Sequence, residues 1–365
     1  VPEVELRNIT KRFGKITAVE DINVKVKDKE YVTILGPSGC GKTTLVKIIS
    51  GIWDATEGEV FIDGKRMEGI PTYERDLGYV FQNIALFPHL NVWDNVTYSP
   101  RVKDLEMDEL ERIGNEMLDL LNLLKIKAFF PNELSGGMQQ KTALGRALST
   151  NAKLLLLDEP LSALDTRVRL ELRYELRRLV KDLGLTAIHV THDQEEAMSV
   201  SDRIVVMKKG RIVEIDSPEN LYNHPKTLFT ANFVGESNFI EGRIVKVDEE
   251  IGDVEIRNKF HISIRRNGFK RGDGVVLVVR PENLILQSEE ATNSIEGVIT
   301  KITFMGAYFR YHVKLKSDDT VMVDIPTIYK KRFNKNDKVM VVFRQENLLV
   351  YAKPYEGLME VLKLE

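Results

Sequence analysis

Cysteine is nearly absent. Cys40 is the one thiol in 365 residues, which rules out an intrachain disulfide and a thiolate zinc cluster and fits a reducing compartment. Excess charge of either sign is missing too, with 52 basic against 55 acidic residues and a formal net charge of −3. A chain so balanced has no basic field to hold a nucleic acid backbone, so nucleic acid is not an expected partner. Apolar runs such as "LLLL" and "VVLVV" are too short to span a bilayer, and the opening "VPEVELRNITKRFG" holds no apolar stretch of signal-peptide type. The chain is therefore expected to be soluble by itself, with any membrane role reaching it through partner chains. What is present is an ordinary globular composition, 43% apolar and 29% charged, over a length that suits two domains.

The stretch "ILGPSGCGKTTLVKIISG", Ile34 to Gly51, reads as a buried strand, a glycine-rich loop and a helix with Leu45, Ile48 and Ile49 at helical spacing. Gly36, Gly39 and Gly41 let the backbone turn its N–H groups inward, and the helix N-terminus adds its positive dipole end. The spacing from Gly36 to Thr43 matches G-x-x-x-x-G-K-[ST], a loop that cradles a nucleotide triphosphate. Lys42 should reach the β- and γ-phosphates, and the Thr43 hydroxyl should meet Mg²⁺. Cys40 reads as a packed small residue whose alkylation would report bound ATP.

A second run, "AKLLLLDEP", reads as a strand buried on both faces, as in a parallel sheet. Asp158 at its carboxyl end is placed to hold Mg²⁺ through water, and Glu159 to polarise an attacking water. In "ELSGGMQQKTALGRALS", Ser135 reads as a helix N-cap followed by two small residues, Gly136 and Gly137, and a helix. That gives a second helix end able to face phosphate.

With these motifs in place the sequence resembles the ATP-binding cassette (ABC) family. "LSGGM" matches the signature LSGGQ except at Met138, "LLLLDEP" the Walker B, "SALD" ending in Asp165 the D-loop, "VTHD" with His192 the switch histidine, and "VFQ" with Gln82 the Q-loop. Phe13 in "TKRFG" matches the aromatic that stacks on adenine, and Lys141 stands where arginine is common. The resemblance implies an α/β P-loop fold with a helical subdomain at about 87–150, two cassettes packed head to tail as a homodimer or with a closely related cassette, and ATP hydrolysis with Mg²⁺. It implies nucleotide contacts from Phe13, Gly36, Ser38, Gly39, Gly41, Lys42, Thr43 and Thr44, with Ser135, Gly136, Gly137 and Asp165 acting across the dimer. Catalysis would fall to Lys42, Gln82, Glu159 and His192, and the metal to Thr43, Gln82 and Asp158. In "DELERIGNEMLDLLNLLKI" an apolar stripe from Leu110 to Leu124 reads as core. "NIALFPHLNVWDNV" offers exposed Phe87 and Trp93 to the coupling helix of a transmembrane permease subunit.

Beyond about Gly235 the text turns β-rich, with turns such as "NGFKRGDG" and "KSDD". Two phrases recur, "IEGRIVKV" with "IEGVITKI" and "VVRPENLIL" with "VFRQENLLV". They predict one all-β, OB-like barrel built from two halves over 235–365, after a cassette over 1–234. "VRPEN" resembles the regulatory TOBE domain of import cassettes. The implied work is solute import with a permease and, indirectly, an extracytoplasmic binding protein, at the cytoplasmic face of the membrane. Sugar, polyamine, iron and anion remain open as solutes, with "FVGESNFIEG" resembling the last three. A soluble cassette ATPase in DNA maintenance or translation is the alternative, but it would call for coiled-coil insertions, zinc cysteines or a basic surface.

Overall fold

The segment Tyr31–Leu35 is buried at every position, as only a strand covered on both faces can be. The computed structural model describes residues 2–265, 268–329 and 333–364; Asn267, in the turn "NGFKRGDG", lies outside them. The chain divides into two compact units, Val1–Leu221 and Tyr222–Leu364.

The first unit opens with β1 (Val4–Phe13), β2 (Ile16–Val26), β3 (Tyr31–Leu35), α1 (Lys42–Ser50), β4 (Glu57–Ile62), β5 (Lys65–Arg66) and β6 (Leu77–Val80). A helical stretch follows as α2 (Val92–Val96), α3 (Tyr98–Val102), α4 (Met107–Leu120) and α5 (Gly136–Leu148). Then come β7 (Leu154–Asp158), α6 (Thr166–Asp182), β8 (Thr186–Thr191), α7 (Gln194–Val200), β9 (Arg203–Lys208) and β10 (Arg211–Asp216). The sheet order β10-β9-β3-β8-β7-β6 has parallel pairing from β9 through β6, and β2-β1-β4-β5 forms a separate antiparallel sheet.

Alternation along the parallel strands feeds two cores. Val32, Ile34, Leu154, Leu156, Ile188 and Val190 meet the antiparallel sheet and α1, while Tyr31, Leu155, Leu157 and Ala187 meet the helices. The α4 stripe packs as expected through Leu110, Met117 and Leu121, whereas Leu124 at its end is 39% exposed. Asp202 fastens the layers. Its carboxylate accepts from the Tyr31 N–H at 2.8 Å, from Arg177 at 3.1 Å and from Lys181.

α8 (Pro218–Asn223) crosses the division between the units, and α9 (Leu228–Phe233) belongs to the second. The division thus lies earlier than the break expected at Gly235. The change to β-rich text marks the first strand of the new unit, but α9 packs Leu228 and Ala231 on Val276 and Val278, and the buried Arg280 guanidinium donates to the carbonyls of Tyr222, Ala231 and Glu236.

The strands of the second unit are β11 (Asn238–Val247), β12 (Ile251–Glu255), β13 (His261–Arg265), β14 (Gly274–Val279), β15 (Leu284–Gln287), β16 (Ser294–Phe304), β17 (Tyr308–Leu315), β18 (Thr320–Pro326), β19 (Lys338–Phe343) and β20 (Leu349–Ala352), followed by α10 (Leu358–Leu362). Their sheets run β13-β12-β11-β14-β20 and β15-β19-β16-β17-β18. Each half of the repeat therefore gives its last strand to the other half's sheet. Both sheets face one core that includes Ile244, Leu277, Ile299 and Val341. Small irregularities repeat as well: the β-bulge between Ile244 and Lys246 returns between Ile299 and Lys301. A Cβ on Gly242 would lie 2.4 Å from Val254 Cγ1, and one on Gly297 2.6 Å from Val313 Cγ1.

The barrel expected from the sequence is closed by side chains in place of a strand ladder. Asn238 Oδ1 accepts from the Met322 N–H at 2.7 Å and its Nδ2 donates to the Met322 carbonyl at 2.8 Å, on edge strand β18. Asn293 repeats this with Ser263 on edge strand β13, at 2.7 and 2.9 Å. Two of the four sheet edges, β18 and β13, are thus each bound by one amide, which gives partners to backbone groups that have no ladder neighbour.

Asn293→Ala should cost the second unit about 1–3 kcal/mol by leaving the Ser263 groups unpaired, read as a fall in its thermal midpoint by circular dichroism. Both tryptophans, Trp53 and Trp93, lie in the first unit, so their fluorescence should not report that change. Burial would raise the Asp202 carboxyl, but Lys181, the Tyr31 N–H and Arg177 outweigh it and hold it below its ordinary range. A depressed carboxyl contributes fully above its unfolded pKa and loses that contribution as pH falls through the lower folded value. Asp202→Asn should cost roughly 1–2 kcal/mol at pH 7, and the deficit should shrink toward acid pH in urea unfolding followed at the tryptophans.

Candidate active site

Four neighbouring parallel strands end side by side, and each delivers a predicted residue. Leu35 at the end of β3 is paired with Thr191 at the end of β8, Asp158 at the end of β7 with Val190, and Val80 at the end of β6 with Leu157. The glycine loop leaves β3, His192 leaves β8, Glu159 leaves β7 and Gln82 leaves β6.

The loop needs its glycines for space and for conformation. A Cβ on Gly36 would lie 2.5 Å from the Met207 carbonyl oxygen, and Gly41, the residue before α1, holds φ 102° with Ala18 O 2.5 Å from where its Cβ would be. Ser38 and Gly39 at the tip are exposed and Thr44 is half-buried. Lys42 is buried along its length, and its Nζ donates to the carbonyls of Gly36 and Pro37 at 2.8 and 2.9 Å. The Cys40 side chain joins the core below the loop. Burial pushes its thiol up despite Lys42, so alkylation of Cys40 is no reporter of a ligand in the loop: the thiol is covered already.

Thr43 Oγ1 donates to Asp158 Oδ1 at 2.9 Å, joining the loop to the end of β7. Tyr79 OH donates to Asp158 Oδ2 at 3.2 Å. Burial pushes the Asp158 carboxyl up, against the pull of these two hydroxyls, and burial followed by the Asp158 charge pushes the Tyr79 phenol up. A buried carboxylate whose donors are neutral hydroxyls fits a cation beside Thr43. Among the described residues no group of three or more His, Cys, Asp or Glu could hold a metal ion, so further ligands would be phosphate oxygens and water, the habit of Mg²⁺.

Glu159 has φ 46°, a left-handed conformation that is uncommon outside glycine and found at functional sites. Its N–H donates to the Val190 carbonyl at 2.9 Å. Its Oε2 accepts from Gln82 Nε2 at 3.1 Å and lies 3.2 Å from His192 Nδ1. Two residues from different strands thus meet on one carboxylate oxygen, and Oε1 is outside this clamp. His192 is half exposed and the Glu159 side chain is largely covered.

The other predicted residues form a second group. Ser135 caps α5 and accepts from the Met138 N–H. A Cβ on Gly136 would lie 3.3 Å from Leu164, and one on Gly137 2.7 Å from Val168, which sets both glycines against the segment around Asp165. Asp165 itself caps α6, accepting from the N–H groups of Arg167 and Val168. Met138 is 41% exposed, and Lys141 pairs with Glu175 at 2.8 Å. Phe13 is 43% exposed at the end of β1, edge-on to Trp53 at 5.0 Å. It is therefore a surface ring and free of the core.

Of the two aromatics expected to be exposed, the structure separates one from the other. Phe87 lines an open groove with Tyr79, Phe81, Tyr98 and Arg146, and packs on Tyr98 at 4.5 Å. Trp93 instead packs against the helical core, where its ring lies 2.6 Å from the place a Cβ on Gly114 would take. The missing side chain at Gly114 is what lets Trp93 turn inward. Tyr79 was not singled out by the sequence motifs, although it stands three residues before Gln82; only the β6–β7 pairing brings its hydroxyl to Asp158.

Comparison with known proteins agrees with this geometry. Residues 19–162 match the model of the ABC transporter family, and residues 277–350 that of the TOBE domain. Proteins named spermidine/putrescine import ATP-binding protein PotA are similar over most of the chain. The one from Clostridium novyi is 40% identical over 85% of this chain and 88% of its own. That from Trichodesmium erythraeum is 39% identical over 96% and 95%. Among solved structures, the dimeric post-hydrolysis state of the ATP-binding cassette MJ0796 with ADP and Pi is 33% identical, with a TM-score of 0.53, over 59% of this chain and 98% of that one. On the strength of the loop, the carboxylate clamp and these matches, the chain belongs to the ATP-hydrolysing subunits of ABC transporters that carry a TOBE domain.

Proposed function

We propose that this chain drives polyamine import, hydrolysing ATP at the cytoplasmic face of the membrane as one of two cassettes bound to transmembrane permease subunits. The carrying observation for the chemistry is the meeting of Gln82 and His192 on Glu159. The solute rests on the matched relatives, whose names say spermidine and putrescine. Sugar uptake, left open by the sequence, has no support among them. Among the described residues no helix is long and apolar enough to cross a membrane, in keeping with partner subunits that provide the path and an extracytoplasmic protein that delivers the solute.

In this reading Phe13 stacks on adenine. The N–H groups of the loop from Gly36 to Thr44, with Ser38 and Lys42, bind the phosphates. Thr43, Asp158 and Gln82 would hold Mg²⁺, whose positive charge would offset that of the triphosphate. Glu159, oriented by its left-handed backbone, accepts a proton from the attacking water. His192, released from Glu159 or shared with it, contacts the γ-phosphate. Ser135, Gly136 and Gly137 close on the nucleotide of the opposing cassette, with Asp165 linking the two sites. Contacts that exist only with the γ-phosphate hold the pair closed, and hydrolysis removes them. The groove lined by Phe87, Tyr98 and Arg146 takes the permease coupling helix, and the TOBE unit keeps the cassettes paired or receives a regulator.

Deleting the chain's gene should abolish uptake of labelled spermidine or putrescine, and the Glu159→Gln variant should fail to restore it while still binding ATP, with hydrolysis down on the order of a hundredfold or more. Polyamine uptake that persists while uptake of another solute is lost would overturn the solute. Tyr79→Phe removes one donor from Asp158, worth about 1 kcal/mol. It should raise the Mg²⁺ concentration needed for half-maximal ATP binding by roughly fivefold, measured with a fluorescent nucleotide and a Mg²⁺ titration.

A further inference from the structure

Directly behind His192 lies a buried polar chain that the reaction as described leaves unused. His189, on β8, is 0% exposed. Its Nδ1 is 2.9 Å from the Tyr31 hydroxyl on neighbouring β3, and its Nε2 is 3.3 Å from Glu196 Oε1 on α7. Glu196, 3% exposed, accepts from the Thr191 hydroxyl at 2.6 Å through its other oxygen. That same Thr191 oxygen accepts from the Asp193 N–H at 3.0 Å, and Asp193 in turn caps α7 by accepting from the Glu196 N–H at 3.0 Å. His192 is the residue between Thr191 and Asp193. Both of its neighbours are thus tied to Glu196, and Glu196 faces His189.

Two features make His189 more than a filler of the core. In the neutral tautomer whose Nδ1 accepts from the Tyr31 hydroxyl, the ring proton lies on Nε2, the nitrogen that faces Glu196. Yet Nε2 and Oε1, though only 3.3 Å apart, stand off the hydrogen-bond line and are buried polar atoms without a partner, as are the Nε atoms of Arg169 and Arg173. Unmade bonds between buried polar groups are costly, and at 3.3 Å these two atoms are within reach of one another. Other charges facing this cluster include Arg173 and Arg169 on α6, which approach Asp193 at 3.5 and 3.7 Å, Glu195, 3.8 Å from Arg173, and Arg177 and Asp202 on the Tyr31 side. Burial would raise the Glu196 carboxyl, but the polar and charged groups around it, the Thr191 hydroxyl and Arg173 among them, hold it low. The carboxylate is thereby kept as an acceptor.

We propose that His189 is a positioning residue for ATP hydrolysis: fixed by Tyr31, its Nε2–H engages Glu196 and so holds the Thr191–Asp193 segment with His192 aimed at Glu159 and the γ-phosphate. The two atoms stand 3.3 Å apart here, and the bond is completed when the site works. This rests on the role given to His192 above, and the test separates the two.

ATP hydrolysis by the full chain is measured in His189→Phe, His189→Gln, Tyr31→Phe and His192→Ala, with thermal midpoints and ATP affinity for each. His189→Phe keeps the volume and removes the donor. It should lower kcat about tenfold or more with KM for ATP within about twofold. His189→Gln, whose amide can accept from Tyr31 and donate to Glu196, should recover most of the loss. Tyr31→Phe should lower kcat in the same direction and reads the same link if His189→Phe does not fold. Loss of hydrolysis in His192→Ala with parental kcat in folded His189→Phe or Tyr31→Phe would overturn the proposal and leave the role of His192 standing. Parental hydrolysis in His192→Ala would overturn both.

Discussion

The parallel pairing of β3, β8, β7 and β6 is the constraint on which the site depends. Parallel strands bring the same ends together, so the residues that follow Leu35, Thr191, Asp158 and Val80 are neighbours although up to 156 positions apart in the chain. No one of the four segments makes a site by itself. The glycine loop gives N–H groups and a lysine, the ends of β7 and β8 give a carboxylate and an imidazole, and the end of β6 gives an amide. Their separation is set by the spacing of strands in a sheet, roughly 4.8 Å, which a side chain of two or three bonds can bridge. The bonds from Thr43 to Asp158 and from Gln82 and His192 to Glu159 are such bridges.

Much of this was legible in the sequence where local rules are strong. A loop whose glycines are required by φ and close approach, flanked by a strand and a helix, states its own geometry. The run Leu154–Leu157 states that its strand is covered on both sides, and it is. The stripe on α4 was legible for the same reason, up to the end where Leu124 runs out into solvent. What escaped depends on which strands become neighbours. Tyr79 reaches Asp158, and Tyr31 reaches His189, only because β6 lies beside β7 and β3 beside β8. Trp93 shows a different limit: an aromatic set between polar Asn91, Asp94 and Asn95 and apolar Val92 and Val96 reads as a surface contact until the space left by Gly114, twenty-one residues later, is known.

The second unit shows both sides of this limit in one repeat. The phrases "IEGRIVKV" and "IEGVITKI" carry the repeat into three dimensions down to the bulge and the crowded glycine. The phrases "RPENLIL" and "RQENLLV" are as alike as sequences, yet their leading arginines differ. Arg280 is buried and donates to three carbonyls, while Arg344 is exposed. One copy has taken on the fastening of α8 and α9, and the other has not. A repeat in sequence thus gives the plan of the strands, but not which copy takes the added work.

The exchange of β15 and β20 also bears on how the second unit comes into being. Besides β11, β14 pairs with β20, about seventy residues later, so the sheet that begins with β11 stays incomplete until β20 has left the ribosome. Its other half has the mirror debt, since β15 waits for β19. Neither half can nucleate a finished sheet early, and the long-range closures come late in folding, where such contacts are slow to form. Removal of β20 would therefore strip a strand from the sheet made by the first half, and a cut just before Leu349 would be felt at the start of the domain.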